Sequence, residues 1–133
     1  MAPLSSTEAG GGAAKNLCNF ATEGVKLQVN PDVERLVRDM ATAGKPLGFI
    51  CIAPVIAAKV LGAKKVKLTI GNDPATAAAL GALGAIHVDT AVDQIVVDEK
   101  NKVVSTPAYM LGPSIAPVAA GIERLVGAVL EMA

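Results

Sequence analysis

Apolar residues recur along the chain in two alternating patterns, one typical of amphipathic helices and the other typical of buried strands. After Asn30-Pro31, a favourable helix start, apolar residues fall at helical spacing from Val33 to Met40, so a helix is predicted up to Gly44. Residues 46–52 (PLGFICI) are nearly all apolar, as expected for a strand buried on both faces of a parallel sheet.

The rest of the chain continues this alternation. Asp73-Pro74 repeats the helix-start signal, and the polar turn at 98–101 separates two short apolar runs, which predicts a β-hairpin. Together these patterns predict an α/β fold with a mostly parallel sheet, a β-hairpin and a C-terminal helix. Further helices are predicted at 13–21, 55–61, 74–84 and 114–132, and further strands at 65–70, 86–89, 95–97 and 102–105; the last helix is predicted to bury Ile115, Val118, Ile122, Leu125, Val126 and Val129.

Length, charge and composition limit the possible domain organisation and partners. The 133 residues fit a single domain, and a flexible segment is predicted to precede it at 1–12. The 12 basic and 12 acidic residues are spread along the chain, which argues against nucleic acid or an anionic membrane as partner. No apolar run reaches the ~20 residues that cross a bilayer, so no transmembrane segment is predicted.

The cysteine and apolar content bear on the compartment and on partners. Two cysteines without a signal-peptide pattern favour a reducing compartment. The 52% apolar content suggests that some apolar surface contacts a partner.

Cys51 is the residue whose position most suggests chemistry. It follows the predicted buried strand and precedes a predicted helix, where a turn presents a side chain and helix amides favour a thiolate. The alternative is that Cys51 is a small buried apolar residue, as most cysteines outside disulfides are. Position alone leaves both interpretations open.

Five separated strings occur here in the order in which a known family has them. They are GGGAAKNLCNFA, AGKPLGFICIAP, KLTIG, VVDEKNKVVSTPAYM and GIERLVGAVLEM, and they extend from about Gly10 to the end of the chain. In these strings the chain resembles the ElbB-type branch of the class I glutamine-amidotransferase-like superfamily, to which the PfpI-type proteases are more distantly related. The resemblance implies a flavodoxin-like sandwich at 13–133 that is truncated, because the family's first strands have no counterpart before Gly10.

The resemblance also implies a site and a reaction. Members of the family are described as glyoxalase-like, converting small α-oxoaldehydes to hydroxy acids without a metal or an organic cofactor, so no cofactor and no metal are expected. The implied residues are Cys51 as nucleophile, Gly11, Gly12 and Ile52 as backbone oxyanion donors, and Lys15 and Asn16 as lining of the site mouth.

Three departures from the family pattern bear on activity. The acidic residue beside the nucleophile belongs to the missing first elements, so the expected general base is absent from this chain. Gly-Gly-Gly stands where the family has Gly-Gly-Phe-Gly, and Ile52 stands where many relatives in the wider superfamily place histidine. His87 is a further candidate for site lining, but a partly buried structural histidine is the favoured interpretation. Asp93, Asp98 and Glu99 flank or occupy the hairpin and are interpreted as solvated carboxylates. Cys18 is interpreted as a core residue.

Two hypotheses on function follow. The first is a glyoxalase-like or degenerate cysteine-dependent protein acting on small α-oxoaldehydes, if an acidic group reaches Cys51 from elsewhere. The second is a non-catalytic structural or binding subunit, in which a protein partner or a second copy covers an exposed sheet edge. Glutamine amidotransfer is disfavoured, because it requires a histidine beside the cysteine. The expected compartment is the cytoplasm for a bacterial protein and a mitochondrion or plastid for a eukaryotic one.

Overall fold

The structure, a computed structural model, describes residues 27–108 and 115–133. The helix predicted at 13–21, with Cys18, lies outside these ranges. None of the helices within them is long and apolar enough to cross a bilayer. In chain order the elements are α1 (Pro31–Thr42), β1 (Leu47–Ile50), α2 (Pro54–Leu61), a 3-10 turn (Gly62–Lys64), β2 (Lys67–Leu68), α3 (Pro74–Ala82), β3 (Ile86–His87), β4 (Val96–Asp98), β5 (Val103–Thr106) and α4 (Ile115–Met132).

The predicted helix starts are confirmed by their capping geometry. Asn30 Oδ1 accepts the backbone N–H of Asp32 at 2.9 Å, and Asp73 Oδ2 accepts that of Thr76 at 3.0 Å. In both helices proline follows the cap, where its missing N–H has no intrahelical partner to lose. These two caps fix where α1 and α3 begin.

The strands form a mixed arrangement, as the alternation of elements predicts. β1 pairs in parallel with β5, β5 pairs antiparallel with β4 in the predicted hairpin, and β2 pairs in parallel with β3. The β2–β3 pair is held to β5 through a side chain, since the Thr69 N–H donates to Ser105 Oγ at 2.9 Å. The strand predicted at 65–70 spans only Lys67–Leu68, and it starts late because Lys65 has φ 53° and ends the 3-10 turn.

Two layers of helices cover the β1–β5–β4 sheet, which confirms a flavodoxin-like α/β sandwich. Helices α1, α2 and α3 share one apolar cluster with β1 and β2, whereas α4 forms a second cluster with β1 and β5. Gly48 lets α4 approach closely, because a Cβ there would lie 2.8 Å from Leu125 Cδ2.

The apolar face predicted for α4 is only partly buried. Val118 and Leu125 are buried, as predicted, but Ile115 is 75% exposed and Val126 is 47% exposed. Helical periodicity identified the apolar residues of α4, but it could not show that they form two stripes. One stripe packs on the sheet and the other faces outward.

Candidate functional site

Cys51 lies in a sharp turn between β1 and α2 and has φ 66°. A residue other than glycine in this left-handed region is held against a backbone preference of about 1–3 kcal/mol. The Cys51 N–H donates to the Thr106 carbonyl at 3.1 Å, which continues the β1–β5 ladder up to the turn. Strand, left-handed cysteine and helix form the geometry of a nucleophile elbow.

The backbone of the next residues holds this turn in place. The Ala53 N–H donates to the Ile50 carbonyl at 3.1 Å, and the Val55 N–H donates to the Ile52 carbonyl at 3.1 Å. Pro54 then begins α2, in which nearly every residue is buried. Because a buried helix and a buried strand flank the elbow, the position of Cys51 is fixed by packing on both sides.

The surroundings of Cys51 are apolar. Its side chain is 7% exposed and shares a cluster with Val104, Ala108, Val118 and Leu125. Ala108, which lies just beyond the carboxyl end of β5, also has a left-handed backbone at φ 46°. The carboxyl ends of two neighbouring parallel strands therefore meet at Cys51, and this edge is where open α/β sheets bind ligands.

A buried set of hydroxyl groups lies near the carboxyl ends of β2 and β5, and sequence reasoning missed it. Thr69 Oγ1 is 2.9 Å from Thr90 Oγ1 and accepts the Gly71 N–H at 3.0 Å. Thr106 Oγ1 donates to the Gln94 carbonyl at 2.8 Å. The strand alternation could have marked Thr69 and Thr106 as inward-facing, but Thr90 and Gln94, which they contact, lie 21 and 12 positions away. These bonds fix the loops at the edge that carries Cys51.

His87 lies on β3, and its polar contacts in the described part of the chain are within the β2–β3 region. Its Nε2 accepts the Ile70 N–H at 3.4 Å, and its Nδ1 lies 3.4 Å from Asp89 Oδ1. Its side chain is only 9% exposed. Burial lowers the pKa of His87 below its ordinary value, and the Asp89 carboxylate offsets part of that effect. These contacts fit a structural role, and a role in lining the site stays a prediction.

We expect the free energy of unfolding to fall as the pH is lowered through the range below about 6.5, the ordinary histidine pKa. The folded state holds His87 neutral because its pKa is depressed, so the unfolded chain binds the proton first. One proton gives a slope of at most about 1.4 kcal/mol per pH unit. Urea unfolding from pH 5 to 8 measures it. The slope should flatten in His87→Gln, and an equal slope in that variant would contradict the assignment.

Asp98 is not the solvated turn residue that sequence reasoning favoured. It is 5% exposed, at the end of β4, and accepts the Lys67 N–H at 2.9 Å and the Asn101 N–H at 3.1 Å. It also accepts from Asn101 Nδ2 at 2.8 Å. Asp98 is therefore a buried acceptor that joins the hairpin turn to β2. The polar character of the turn residues alone did not indicate that Asp98 is buried. Glu99 is exposed as predicted, and Asp93 is half-buried.

The remaining predicted site residues divide into two groups. Ile52 directly follows Cys51 and is half-buried, so its backbone lies within the elbow. In the ranges 27–108 and 115–133 no group of three or more histidine, cysteine or acidic residues is arranged to hold a metal ion. Gly11, Gly12, Lys15 and Asn16 lie outside the described residues, and their roles stay predictions.

Similar proteins were found among curated sequences, although no family model matches the chain. It is 45% identical over 132 residues to the human glutamine amidotransferase-like class 1 domain-containing protein 3, mitochondrial, covering 92% of this chain and 48% of the human protein. It is 44% identical to the rat ES1 protein homolog, mitochondrial, covering 92% and 49% respectively. The zebrafish ES1 protein, mitochondrial, is 34% identical and 41% covered. The chain thus spans about half the length of these relatives.

A solved structure shares the fold. It is an isoprenoid biosynthesis protein with an amidotransferase-like domain from Ehrlichia chaffeensis, superposed with a TM-score of 0.81 at 31% identity. The match covers 92% of this chain and 55% of that one. The homologues of this chain are therefore glutamine amidotransferase-like class 1 domain proteins, and the finer ElbB-type assignment stays a prediction.

Proposed function

We propose that this chain carries the nucleophile part of a cysteine-dependent, amidotransferase-like site of the ElbB type, in which Cys51 attacks small α-oxoaldehydes. The observation that carries the proposal is the φ of 66° at Cys51 between β1 and α2. A buried cysteine that served only as an apolar side chain would not need this strained backbone. Homology to glutamine amidotransferase-like class 1 domain proteins supports the same assignment.

The proposed reaction needs no external oxidant. The Cys51 thiolate adds to the aldehyde carbon, forming a C–S bond, and the carbonyl oxygen takes a proton to give a hemithioacetal. A base then removes the proton from that carbon, and a proton is returned at the neighbouring carbonyl carbon. One carbon is oxidised and the other reduced, which leaves an α-hydroxy thioester. Water cleaves the thioester, releasing an α-hydroxy acid and regenerating the thiol.

Each step assigns a task to a part of the site. The Ile52 N–H, which follows the nucleophile, and those of Gly11 and Gly12 are proposed to stabilise the oxyanion. The side chains around Cys51, which include Val104 and Ala108, surround the adduct with apolar groups. The proton transfer needs an acid–base group, and the resemblance assigns that group to the first elements of the family, which have no counterpart before Gly10.

We expect Cys51→Ala to abolish the methylglyoxal adduct of the parent chain and, where an acid–base group is supplied, the formation of lactate. Adducts are measured by native intact mass without reduction, because the hemithioacetal is reversible, and lactate by chromatography. Cys18→Ser is the matched control, since it removes the other thiol and should leave both signals in place. An adduct that forms to the same extent in Cys51→Ala and the parent chain would refute the proposal. An adduct without lactate would locate the defect in the proton transfer.

A second candidate is a non-catalytic subunit of a larger protein assembly. The observation that favours it is the exposed apolar stripe on α4, where Val126 is 47% and Leu130 is 68% exposed. In that case Cys51→Ala changes no turnover, and the chain elutes with another protein. Because the human, rat and zebrafish relatives are named as mitochondrial, we propose a mitochondrial compartment under either candidate.

A further inference from the structure

Thr106, which is fully buried at the end of β5, links the turn that carries Cys51 to a second segment of the chain. Its carbonyl accepts the Cys51 N–H at 3.1 Å, and its register partner in the parallel pair is Ile50. Its Oγ1 donates to the Gln94 carbonyl at 2.8 Å. One residue therefore holds the backbone of Cys51 with its main chain and the segment around Gln94 with its side chain.

The hydroxyl of Thr106 lies on the face of β5 that carries the apolar cluster of Cys51. Val104, two positions earlier on the strand, belongs to that cluster, and residues two apart share a face. Helix α4 covers this face at Gly121, where a Cβ would lie 2.9 Å from Thr106 Oγ1 and 2.7 Å from the Val92 carbonyl oxygen. The helix thus passes directly over the hydrogen bond that Thr106 makes.

The turn around Gln94 is anchored at several points. The Gln94 N–H donates to the Ala91 carbonyl at 3.1 Å. Val92 and Ile95 pack against the apolar cluster that contains Cys51. Because this turn is held by its own contacts, a hydrogen bond to it restrains the end of β5.

The backbone of Cys51 needs a restraint of this kind. A left-handed conformation such as its φ of 66° persists in a residue other than glycine only where the surrounding structure holds it. The bond from the Cys51 N–H to the Thr106 carbonyl connects this conformation to the end of β5. If that end moves, the turn relaxes and the sulfur shifts relative to the first amides of α2. Because amides at a helix start favour a thiolate, ionisation of the thiol reports the geometry of the turn.

Ser105, the neighbour of Thr106 on β5, makes a comparable hydrogen bond on the other face of the strand. Its Oγ accepts the Thr69 N–H at 2.9 Å, and its side chain is fully buried. By strand alternation this contact points away from the face that α4 covers. Ser105→Ala therefore removes a buried hydrogen bond from the same strand and leaves the bond between Thr106 and Gln94 in place.

We propose that Thr106 is a positioning residue for Cys51. Its hydroxyl, bonded to the Gln94 carbonyl, fixes the end of β5, and its carbonyl thereby holds Cys51 in the conformation that favours the thiolate. Thr106 acts through Cys51 and has no task of its own in the reaction. The proposal rests on the proposed function in taking Cys51 as the reactive thiol, but it concerns ionisation alone and its test needs no substrate.

The test titrates the thiolate by its ultraviolet absorbance in chains that all carry Cys18→Ser, which leaves Cys51 as their one cysteine. We expect Thr106→Val to move the midpoint of the titration to higher pH by about half a unit or more. Thr106→Ser keeps the hydroxyl and should keep the parent midpoint. Ser105→Ala is the matched control, and its midpoint should equal that of the parent although the variant unfolds at a lower urea concentration.

Two outcomes would overturn the proposal. The first is a midpoint that is equal in folded Thr106→Val and in the parent chain. The second is an equal shift in Thr106→Val and Ser105→Ala, which would show that any loosening of β5 has the same effect. A parent chain that gives the expected midpoints but forms no methylglyoxal adduct would refute the proposed function and leave the role of Thr106 standing.

Gly121→Ala tests the same link from the helix side if Thr106→Val does not fold. Its Cβ would lie 2.9 Å from Thr106 Oγ1 and would displace the hydroxyl. We expect hydrogen exchange at the Cys51 amide to become about tenfold faster in this variant. Gly127→Ala is the control on the same helix, because a Cβ there meets nothing within 4 Å, and it should leave the exchange unchanged. Equal exchange in the two variants would count against the proposal.

Discussion

Gly84→Ala is expected to lower the free energy of unfolding by about 2–5 kcal/mol, because the substitution meets two obstacles at once. Gly84 has φ 102°, a backbone conformation that alanine rarely adopts. A Cβ at this position would also lie 2.7 Å from the Gly62 carbonyl oxygen. Gly62 in turn packs against the Leu83 carbonyl, so the backbones that follow α2 and α3 cross here without side chains between them. Neither backbone can move without shifting its helix.

Chemical denaturation followed by circular dichroism measures this effect. Gly81→Ala is the matched control, since Gly81 lies within α3 and a Cβ there meets nothing within 4 Å. Alanine should stabilise that helix by about 0.5–1 kcal/mol. If the two variants were equally stable, the close crossing of the two backbones would be wrong.

Asp98→Ala is expected to cost about 3 kcal/mol, because it removes a buried charged acceptor and leaves three part-buried N–H donors without their partner. The Lys67 N–H and the Asn101 N–H both donate to this carboxylate, and so does Asn101 Nδ2. The variant would therefore loosen the hairpin turn and the junction with β2 together. Glu99→Ala removes an exposed carboxylate from the same turn and should change stability by less than about 0.5 kcal/mol. Equal losses in the two variants would contradict this account.

The same carboxylate adds a pH dependence at acid pH. Burial raises the pKa of Asp98, but the hydrogen bonds from Asn101 and the Lys67 amide outweigh it, so the net pKa lies below its ordinary value. The stabilisation is therefore complete above about pH 4, the pKa of an unfolded aspartate, and is lost as the pH falls through the folded pKa. Asp98→Ala should lack this part of the acid-induced loss.

The sequence correctly predicted the helices and the hairpin that are determined by neighbouring residues. Asn30-Pro31 and Asp73-Pro74 each place a side-chain acceptor before a proline, and both helices begin there. The polar turn at 98–101 predicted the β4–β5 hairpin for the same reason. The strand predicted at 65–70 was placed to start too early, because Lys65 adopts a left-handed conformation that its side chain does not indicate. Conformations imposed by distant packing leave no pattern in the neighbouring sequence.

In the candidate site, too, the sequence predicted the features that neighbouring residues determine and missed those that depend on distant residues. The strand-to-helix transition identified the position of Cys51, whereas its positive φ could not be predicted, since cysteine has no preference for that region. The burial of Asp98 and the hydroxyl contacts of Thr69 depend on residues more than twenty positions away. His87 was correctly predicted to be partly buried, because its apolar neighbours indicated a strand.

Cys51 belongs to the apolar cluster that α4 forms with β1 and β5, so exposure of its thiol to solvent depends on the position of α4. The helices α1 to α3 and the strands between them are close in sequence and share their own apolar cluster, so their contacts are largely local. The cluster around Cys51 is smaller and is completed only by α4, which comes last in the chain. Partial detachment of α4 thus uncovers the thiol while the other cluster stays closed. The rate of access to the cysteine is then governed by a local opening event, separate from global unfolding.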